Sequence, residues 1–322
     1  MNSCKIKKTF LIIIAHILLI NVLCAYGGCA FELNKTRAMP FYGLNPKEIV
    51  LRSEFYTSYG SSTEERKHNI KLASTALNNV MVDVGGEFSF NRTVGERTVK
   101  RGYKTAKIIV SGEFVDGVGG GVCQVSSTLY NAVLLAGLMV TEYHAHSLLV
   151  SYVAPSFDAM VNSDSADLRF VNNTDNPIII NTVADGNKLT VSIYGEPLEV
   201  KYERKSVITE EIPAPDAEEV FDDNLEYPDL YEGDSMILRY GKAGYKSEGY
   251  IVAIKNGKKI SEKKIRSDKY SATKGLVIHG RTPKPIDPEI EQETTENSID
   301  INILEWLRNV LGINFRKNNE TR

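Results

Sequence analysis

The chain has 322 residues, 42% of them hydrophobic, and a formal net charge of −3 at neutral pH. This length exceeds the usual size of one core, so we expect two domains with appended segments, and the apolar content excludes disorder throughout. With 38 Lys and Arg residues against 41 Asp and Glu residues, there is no basic excess, so nucleic acid is excluded as an expected partner.

Residues 1–30 have the pattern of a signal peptide or an N-terminal membrane anchor. Lysines precede the apolar run 10–20, and the small residues of 27–30 suit cleavage. If the segment is kept, the stretch 9–30 is long enough to span a bilayer with its lysines inside. We therefore expect an exported protein of the cell surface or cell wall. It is either secreted or attached to the membrane through an uncleaved N-terminal segment.

Residues 31–196 are predicted to form an α+β domain with a leading segment. A capping-box spacing begins at Ser62, and apolar residues then recur at helical intervals. A second apolar stripe starts at Val125, and Gly137 suits the end of that helix. Alternating runs between turn residues predict strands. The predicted elements are helix 63–80, hairpins within 85–115, helix 123–136, and strands 142–152, 168–171, 178–183 and 189–194.

The rest of the chain reads as a linker, a small all-β domain and a polar tail. Residues 197–225 are charged and contain two prolines, which indicates a linker or an irregular leading strand. Strand patterns around glycine turns predict an all-β domain over 226–281, with an alternative start near 205. In 282–322 an acidic linker precedes an amphipathic helix, for which docking on the protein is favoured over membrane contact.

Cys123 is the only cysteine outside the first 29 residues, which excludes a disulfide scaffold. Three glycines at 119–121 lead into the helix that it begins. The free N–H groups and the dipole of a helix start favour negative charge, so the thiolate should be stabilised and the thiol pKa lowered. Cys123 is therefore a candidate nucleophile. The alternative is an inert, buried cysteine, which is common in apolar helices.

A nucleophilic thiol needs a base, and the candidates are His144 and His146. Their spacing of two places both on one face of the predicted strand 142–152. We assign His146 as the base and His144 as an orienting or assisting group. Asp158 is the preferred carboxylate to hold the imidazole, with Asp167 as the alternative. A zinc site built from the two histidines and the cysteine is a further alternative.

The residues around the thiol are candidates for substrate binding. This set is Gly120, Gly121, Gln124, Ser126 and Ser127. For Gln124, the backbone N–H is a better candidate than the side chain to donate a hydrogen bond to an oxyanion. For the serine hydroxyls, hydrogen bonding within the first helical turns is the competing interpretation.

Several motifs of this sequence resemble those of known domain families. The span from about Leu51 to Gly195 resembles the VanW domain family, and residues from about 205 to 281 are similar to the G5 domain, a β module of bacterial surface proteins. The motifs that match VanW are GEFSFN at 86–91, RGY at 101–103, the run from Gly119 to Ala132, HAHS at 144–147 and NNTD at 172–175.

The resemblance implies a fold and an activity. The fold would be a VanW-type domain, with a Cys-bearing helix packed on antiparallel strands, followed by a G5-like domain. The implied activity is that of a cysteine L,D-transpeptidase, with Cys123, His144 and His146 matching the family motif. Tyr143, where arginine is common, and Ser156-Phe157, where glycine-containing turns are usual, depart from the family pattern.

The implied partners are peptidoglycan stem peptides, with a glycan or surface partner for the G5-like domain. We expect no cofactor and no metal. A non-catalytic protein that binds cell wall or glycopeptide is the alternative function.

Overall fold

The computed structural model describes residues 49–110, 112–285 and 310. They are mostly β-structure, with three α-helices between residues 49 and 285, and they belong to one compact unit. The predicted export segment 1–30 lies outside the described residues, as does the predicted tail 282–322 apart from 282–285 and Val310. Among the described helices, none combines the length and apolar character that crossing a bilayer requires.

The first part of the described chain combines three helices with small antiparallel sheets. Its elements are β1 (Val50–Ser58), α1 (Glu64–Leu77), β2 (Val80–Val82), β3 (Glu87–Ser89), α2 (Phe90–Val94), a 3-10 turn (Val99–Arg101), β4 (Thr105–Val110), β5 (Glu113–Val118), α3 (Val122–Leu135), β6 (Met139–Glu142), β7 (Arg169–Val171), β8 (Ile178–Ala184) and β9 (Lys188–Gly195). The strands pair in the orders β1-β9-β8-β2, β3-β7-β6 and β4-β5.

Helix α3 runs through the hydrophobic core. Val125, Leu129 and Val133 follow helical spacing and are fully buried. The helix begins after Gly121, whose φ of 107° lies in the left-handed region that favours glycine. The prediction of a helix over 123–136 therefore differs from the structure by one residue at each end.

Helix α1 packs its apolar face inward and starts one residue after the predicted position. The Thr63 side chain accepts the backbone N–H of Arg66 as an N-cap. The helix ends at Leu77, three residues before the predicted end, because Asn78 is extended and Asn79 has a φ of 64°. In the sequence, Val80 continues the helical spacing of Ile70, Ala73 and Leu77. In the structure, however, Val80 begins β2.

The strand predicted for residues 142–152 is wrong, since β6 ends at Glu142 and residues 143–146 have no regular secondary structure. His144 and His146 therefore do not share a strand face. The Met160 N–H donates to the His144 carbonyl at 2.8 Å, and the His146 N–H donates to the Asp158 carboxylate at 2.7 Å. The backbone N–H of His146 thus donates to a side-chain carboxylate and not to a backbone carbonyl of a neighbouring strand.

The second part of the described chain consists of two three-stranded sheets. Its strands are β10 (Lys201–Ile212), β11 (Glu218–Phe221), β12 (Ser235–Arg239), β13 (Gly244–Lys255), β14 (Lys258–Tyr270) and β15 (Leu276–His279). One sheet has the antiparallel order β10-β13-β14, and the other has the order β11-β15-β12, in which β11 and β15 are parallel. Of the two interpretations of residues 197–225, the leading strand applies to 201–212, because β10 pairs with β13 along its length.

The sheet β10-β13-β14 lies against the loop that follows β6. Ser206 of β10 donates its hydroxyl to the Pro155 carbonyl at 2.7 Å, and the Ser271 N–H donates to the Ser147 carbonyl at 2.7 Å. The Arg204 guanidinium lies 5.0 Å from the ring centroid of Phe157, and burial lowers the pKa of Arg204 to about 10. These contacts fix the loop between two parts of the fold.

Candidate active site

Cys123 lies in the first turn of α3 and is partly buried. Its thiol is within hydrogen-bonding distance of the Val161 carbonyl, with the sulfur 3.3 Å from the oxygen. A Cβ on Gly120 would lie 2.6 Å from the carbonyl oxygen of Lys107 in β4, so only glycine allows this approach. The Asn69 side chain donates to the Gly120 carbonyl at 3.0 Å. The backbone that carries the thiol is therefore held from two sides.

His146 contacts Asp158 and lies close enough to Cys123 to lower the pKa of its thiol. Its Nδ1 lies 2.7 Å from Asp158 Oδ2, and the two residues expose only 6% and 1% of their surface. Because an ionised carboxylate only accepts hydrogen bonds, Nδ1 carries a proton and Nε2 is the nitrogen that serves the thiol. The structure thus brings together a thiol, an imidazole and a carboxylate in that order.

The electrostatics of the pair favour a thiolate beside an imidazolium. Burial raises the pKa of Cys123, but its hydrogen bond to His146 and the charge of that imidazolium outweigh burial, so the pKa lies below its ordinary value. Burial lowers the pKa of His146, but its hydrogen bonds to Asp158 and Cys123 raise it to about 9. A thiol in this charge state meets the electrostatic requirement of a nucleophile.

Two residues of β14 hold Asp158 from the side opposite His146. The Tyr270 hydroxyl donates to Asp158 Oδ1 at 2.6 Å, and Arg266 Nη1 donates to the Asp158 carbonyl at 2.6 Å. Burial raises the pKa of Asp158, but the hydrogen bond and charge of His146, with the charge of Arg266, bring it below its ordinary value. Both β14 residues were missed because no sequence spacing relates them to the motifs around Cys123.

His144 and Asp167 are occupied elsewhere. His144 pairs with Glu142, its Nε2 lying 3.0 Å from Oε1. Asp167 accepts the Ser89 hydroxyl at 2.6 Å and the Asn91 N–H at 2.8 Å, so it fixes the start of α2. Within the described part of the chain, no three His, Cys, Asp or Glu side chains are grouped to hold a metal ion.

Gln124 is buried and has internal partners, contrary to its predicted contact with substrate. Its side-chain amide donates to the Thr57 hydroxyl at 2.9 Å and accepts from Arg66 at 2.8 Å. Its backbone N–H donates to the Gly121 carbonyl at 3.0 Å and is therefore engaged within the helix start. The Gln124 side chain ties α3 to β1 and α1.

Ser126 and Ser127 are also fully buried, which contradicts direct contact with substrate. Ser126 donates to the Ala159 carbonyl at 2.5 Å, while the Ser127 hydroxyl accepts the Ala159 N–H at 2.9 Å and donates to the Cys123 carbonyl at 2.7 Å. The hydroxyls therefore fasten the segment after Asp158 to the helix that carries the thiol. This agrees with the competing interpretation of internal hydrogen bonding.

Three further side chains interact with the thiol, and the sequence did not single them out. Arg66 and Arg97 are partly buried cations, and burial lowers the pKa of both while the Cys123 thiolate raises it. The pKa of the Tyr152 phenol lies well above its ordinary value because of burial and the nearby Cys123 thiolate. Arg97 packs against Gly119 and Arg66 against Gly121, and we call these two guanidinium groups beside Cys123 the cationic rim.

Comparison with known proteins identifies both parts of the described chain. The model of the family described as VanW like protein matches residues 65–194, and the G5 domain model matches residues 203–280. The chain carries a VanW-like domain followed by a G5 domain. The predicted resemblance is confirmed, and the G5 domain begins near the alternative start at 205.

Two curated relatives match part of the chain. The protein YoaR of Bacillus subtilis (strain 168) is 45% identical over 141 residues, which cover 44% of this chain and 46% of YoaR. The vancomycin B-type resistance protein VanW of Enterococcus faecalis (strain ATCC 700802 / V583) is 27% identical over 139 residues, which cover 41% of this chain and 50% of that protein. The matches thus span about half the length of these relatives.

Two solved structures match the G5 region, each at 23% identity and over 26% of this chain. The IgA1 protease G5 domain is covered to 92% with a TM-score of 0.18, and the crystal structure of HP0197-G5 is covered to 100% with a TM-score of 0.15. In this chain Cys123, His146 and Asp158 belong to the VanW-like domain, whereas Arg266 and Tyr270 belong to the G5 domain.

Proposed function

We propose that this protein is an exported cysteine acyltransferase of the cell wall, acting on peptidoglycan stem peptides as an L,D-transpeptidase or L,D-carboxypeptidase. The observation that carries the proposal is the thiol of Cys123 beside His146, with His146 Nδ1 held 2.7 Å from Asp158 Oδ2. A nucleophile, a base and an orienting carboxylate in this order serve acyl transfer on many unrelated folds. The VanW-like domain and the resistance-associated relative support the cell wall as the location.

In the first half-reaction, the Cys123 thiolate attacks the carbonyl carbon of the third stem residue, and a C–S bond forms. The peptide bond to the terminal D-amino acid then breaks, and its nitrogen takes a proton from the His146 imidazolium. The D-amino acid leaves as a free amine, and a thioester remains on Cys123. Asp158 stabilises the imidazolium before this transfer and holds the neutral imidazole afterwards.

In the second half-reaction, the thioester is attacked by an amine of a neighbouring stem. The His146 imidazole takes the amine proton as the C–N bond forms, and the thiolate leaves. The product is a 3-3 cross-link. Attack by water at the same carbon gives a carboxylate instead, which is the L,D-carboxypeptidase outcome.

The cationic rim supports a substrate with a terminal carboxylate. Arg66 donates to Ser62 at 2.7 Å and to Gln124 at 2.8 Å, and Arg97 donates to Asn91 at 2.6 Å. All three partners are neutral, so both guanidinium charges remain available to an anionic ligand. A stem that ends in a D-amino acid presents such a carboxylate one residue beyond the bond that breaks.

The backbone N–H of Cys123 is the donor we assign to the oxyanion. Among the described residues, no backbone carbonyl accepts this N–H, whereas the neighbouring N–H groups of Val122 and Gln124 donate to Gly119 and Gly121. A free N–H in the first turn of a helix is available to donate a hydrogen bond to the oxyanion that forms when the thiolate attacks. This assignment replaces the predicted Gln124 N–H.

Purified protein incubated with tetrapeptide muropeptides tests the proposal. We expect the wild type to release D-alanine and to form either 3-3 dimers or tripeptides, and Cys123→Ala and Cys123→Ser to do neither. The His144→Ala variant is the matched control, because it removes an imidazole two residues from His146 that pairs with Glu142. Intact tetrapeptides with wild-type protein would contradict the proposal.

The alternative is a non-catalytic protein that binds wall polymer. A G5 domain supports a carbohydrate or another cell-surface partner. In that case wild type and Cys123→Ala would retain the same muropeptides or wall fragments equally well without changing them. Pull-down of purified wall material by both proteins, followed by analysis of the bound fraction, separates the two functions.

A further inference from the structure

We propose that the G5 domain completes the active site of the VanW-like domain, with Tyr270 acting as a positioning residue that holds Asp158 in the orientation His146 requires. The inference rests on the proposed function insofar as it assigns Cys123, His146 and Asp158 a common chemistry. It adds that the thiol is controlled from a second domain. Cys123, His146 and Asp158 all lie within the VanW-like match over residues 65–194, whereas Tyr270 lies within the G5 match over residues 203–280.

The geometry at Asp158 divides its two carboxylate oxygens between the domains. Oδ2 accepts the Nδ1–H and the backbone N–H of His146, both at 2.7 Å. Oδ1 accepts the Tyr270 hydroxyl at 2.6 Å, and Arg266 Nη2 lies farther away, at 3.5 Å from the same oxygen. Because Asp158 and Tyr270 are almost completely buried, water does not replace this donor. The phenol therefore fixes the rotation of the carboxylate that in turn fixes the imidazole.

Arg266 fixes the backbone of the same residue. Its side chain is fully buried and is anchored within the G5 domain by Asp268, at 2.7 and 2.9 Å. The free Nη1 reaches across to the Asp158 carbonyl at 2.6 Å, and the guanidinium lies 4.5 Å from the ring centroid of Tyr143. A buried arginine is tolerated only where its donors are satisfied. This arrangement makes the position of Asp158 depend on β14.

Two more contacts bring the domains together at Ser156, two residues before Asp158. The Ser156 N–H donates to the Tyr270 oxygen at 2.8 Å, and its hydroxyl lies 2.7 Å from the Ser247 hydroxyl of β13. Tyr270 thus bonds both the loop and the carboxylate, whereas Ser247 bonds the loop alone. This difference separates an effect on Asp158 from a simple loss of domain contact.

The test measures the pH dependence of alkylation of Cys123 by iodoacetamide in the full chain. The peptide that contains Cys123 is followed by mass spectrometry, because Cys4, Cys24 and Cys29 are also in the sequence. In Tyr270→Phe the carboxylate loses its short hydrogen bond at Oδ1 and keeps only the longer contact with Arg266, so the imidazolium is held less well and stabilises the thiolate less. We expect the midpoint to rise by about one pH unit, which is about a tenfold loss of thiolate below it.

Ser247→Ala is the matched control, since it removes the other hydroxyl bond to Ser156 and leaves every donor to Asp158 in place. Its alkylation midpoint should equal that of the wild type. In an Asp158→Asn background, adding Tyr270→Phe should not move the midpoint further, because both changes act on one carboxylate. Thermal unfolding of all variants reports whether each remains folded.

Three outcomes would overturn the inference: an unchanged midpoint in Tyr270→Phe, an equal shift in Ser247→Ala, or a shift that persists in the Asp158→Asn background. The readout needs no substrate, so it is independent of the muropeptide assay. A wild type that leaves muropeptides intact while Tyr270→Phe shifts the midpoint would defeat the proposed function alone. Active wild type with an unshifted Tyr270→Phe would defeat the inference alone.

Discussion

Asp158 Oδ2 accepts two hydrogen bonds from one residue, the Nδ1–H of His146 and its backbone N–H, both at 2.7 Å. One carboxylate oxygen therefore fixes the backbone and the ring of the histidine together. The backbone N–H of His146 thus has an acceptor although the residue lies outside a strand. This relationship also selects His146 over His144 as the group that serves the thiol.

The first prediction compares the two histidines. His146→Ala removes the proton acceptor and donor of the reaction, so kcat for D-alanine release should fall by roughly 10²- to 10⁴-fold. His144→Ala should retain activity within about threefold, because its side chain pairs with the partly exposed Glu142 and costs little to remove. Steady-state kinetics on tetrapeptide muropeptides measure both. Equal losses in the two variants would refute the assignment of His146.

The second prediction concerns pH. The pKa of Cys123 lies below its ordinary value, so the thiolate persists at pH values at which a free cysteine would be protonated. On acidification the rate should therefore begin to fall only at a pH below the pKa of a free thiol. The pKa of His146 is raised to about 9, so the imidazolium that protonates the leaving amine is lost as the pH rises through that value. The rate should therefore fall above about pH 9. A rate that keeps rising beyond pH 10 would contradict the imidazolium as acid.

Much of the helical structure follows from the sequence, because local patterns determine it. The apolar stripe that includes Val125 and Leu129 predicts α3 to within one residue at each end. The capping-box spacing that begins at Ser62 predicts the start of α1 to within one residue, although the residue that caps the helix is Thr63. Strand β10 was harder, since its charged residues resemble those of a linker and its partner β13 lies more than 30 residues along the chain.

The site could be predicted only in part. Cys123, His146 and Asp158 carry side chains whose chemistry is evident, and the structure brings all three together. Tyr270 could not be found in this way, because it acts through a contact that joins positions 112 residues apart. Ser127 was assigned to substrate because polar residues near a nucleophile resemble a binding site, whereas its hydroxyl is buried in the helix interface.

The third prediction tests the revised role of Ser127. Ser127→Ala leaves the buried N–H of Ala159 without its acceptor, so the free energy of unfolding should fall by about 1–3 kcal/mol. KM for muropeptides should stay within about twofold, since the hydroxyl does not face substrate. Urea denaturation and steady-state kinetics report the two quantities. The exposed Ser163→Ala serves as control, and a large rise in KM with unchanged stability would restore the original assignment.

The fourth prediction concerns the close approach of β13 to the active-site loop. A Cβ on Gly249 would lie 2.8 Å from the Ser156 carbonyl oxygen, which belongs to the backbone. Gly249→Ala should therefore push the G5 domain away from the loop and lower the free energy of unfolding by about 1–3 kcal/mol. Activity should fall with it, because Asp158 lies two residues from Ser156.

Denaturant unfolding together with D-alanine release measures the effect of Gly249→Ala. The control is Ser267→Ala, an exposed position on the neighbouring strand β14, which should change neither quantity. Wild-type stability and activity in Gly249→Ala would show that the loop does not depend on this contact.

The central claim is that Cys123 forms a covalent acyl intermediate, and intact-mass spectrometry after brief mixing with a tetrapeptide muropeptide tests it most directly. The account predicts a protein adduct equal in mass to the muropeptide minus its terminal D-alanine, located on the peptide that contains Cys123 and removed by hydroxylamine. Cys123→Ala should carry no adduct. An unmodified wild-type mass, while D-alanine is released at the same rate by wild type and Cys123→Ala, would contradict the claim.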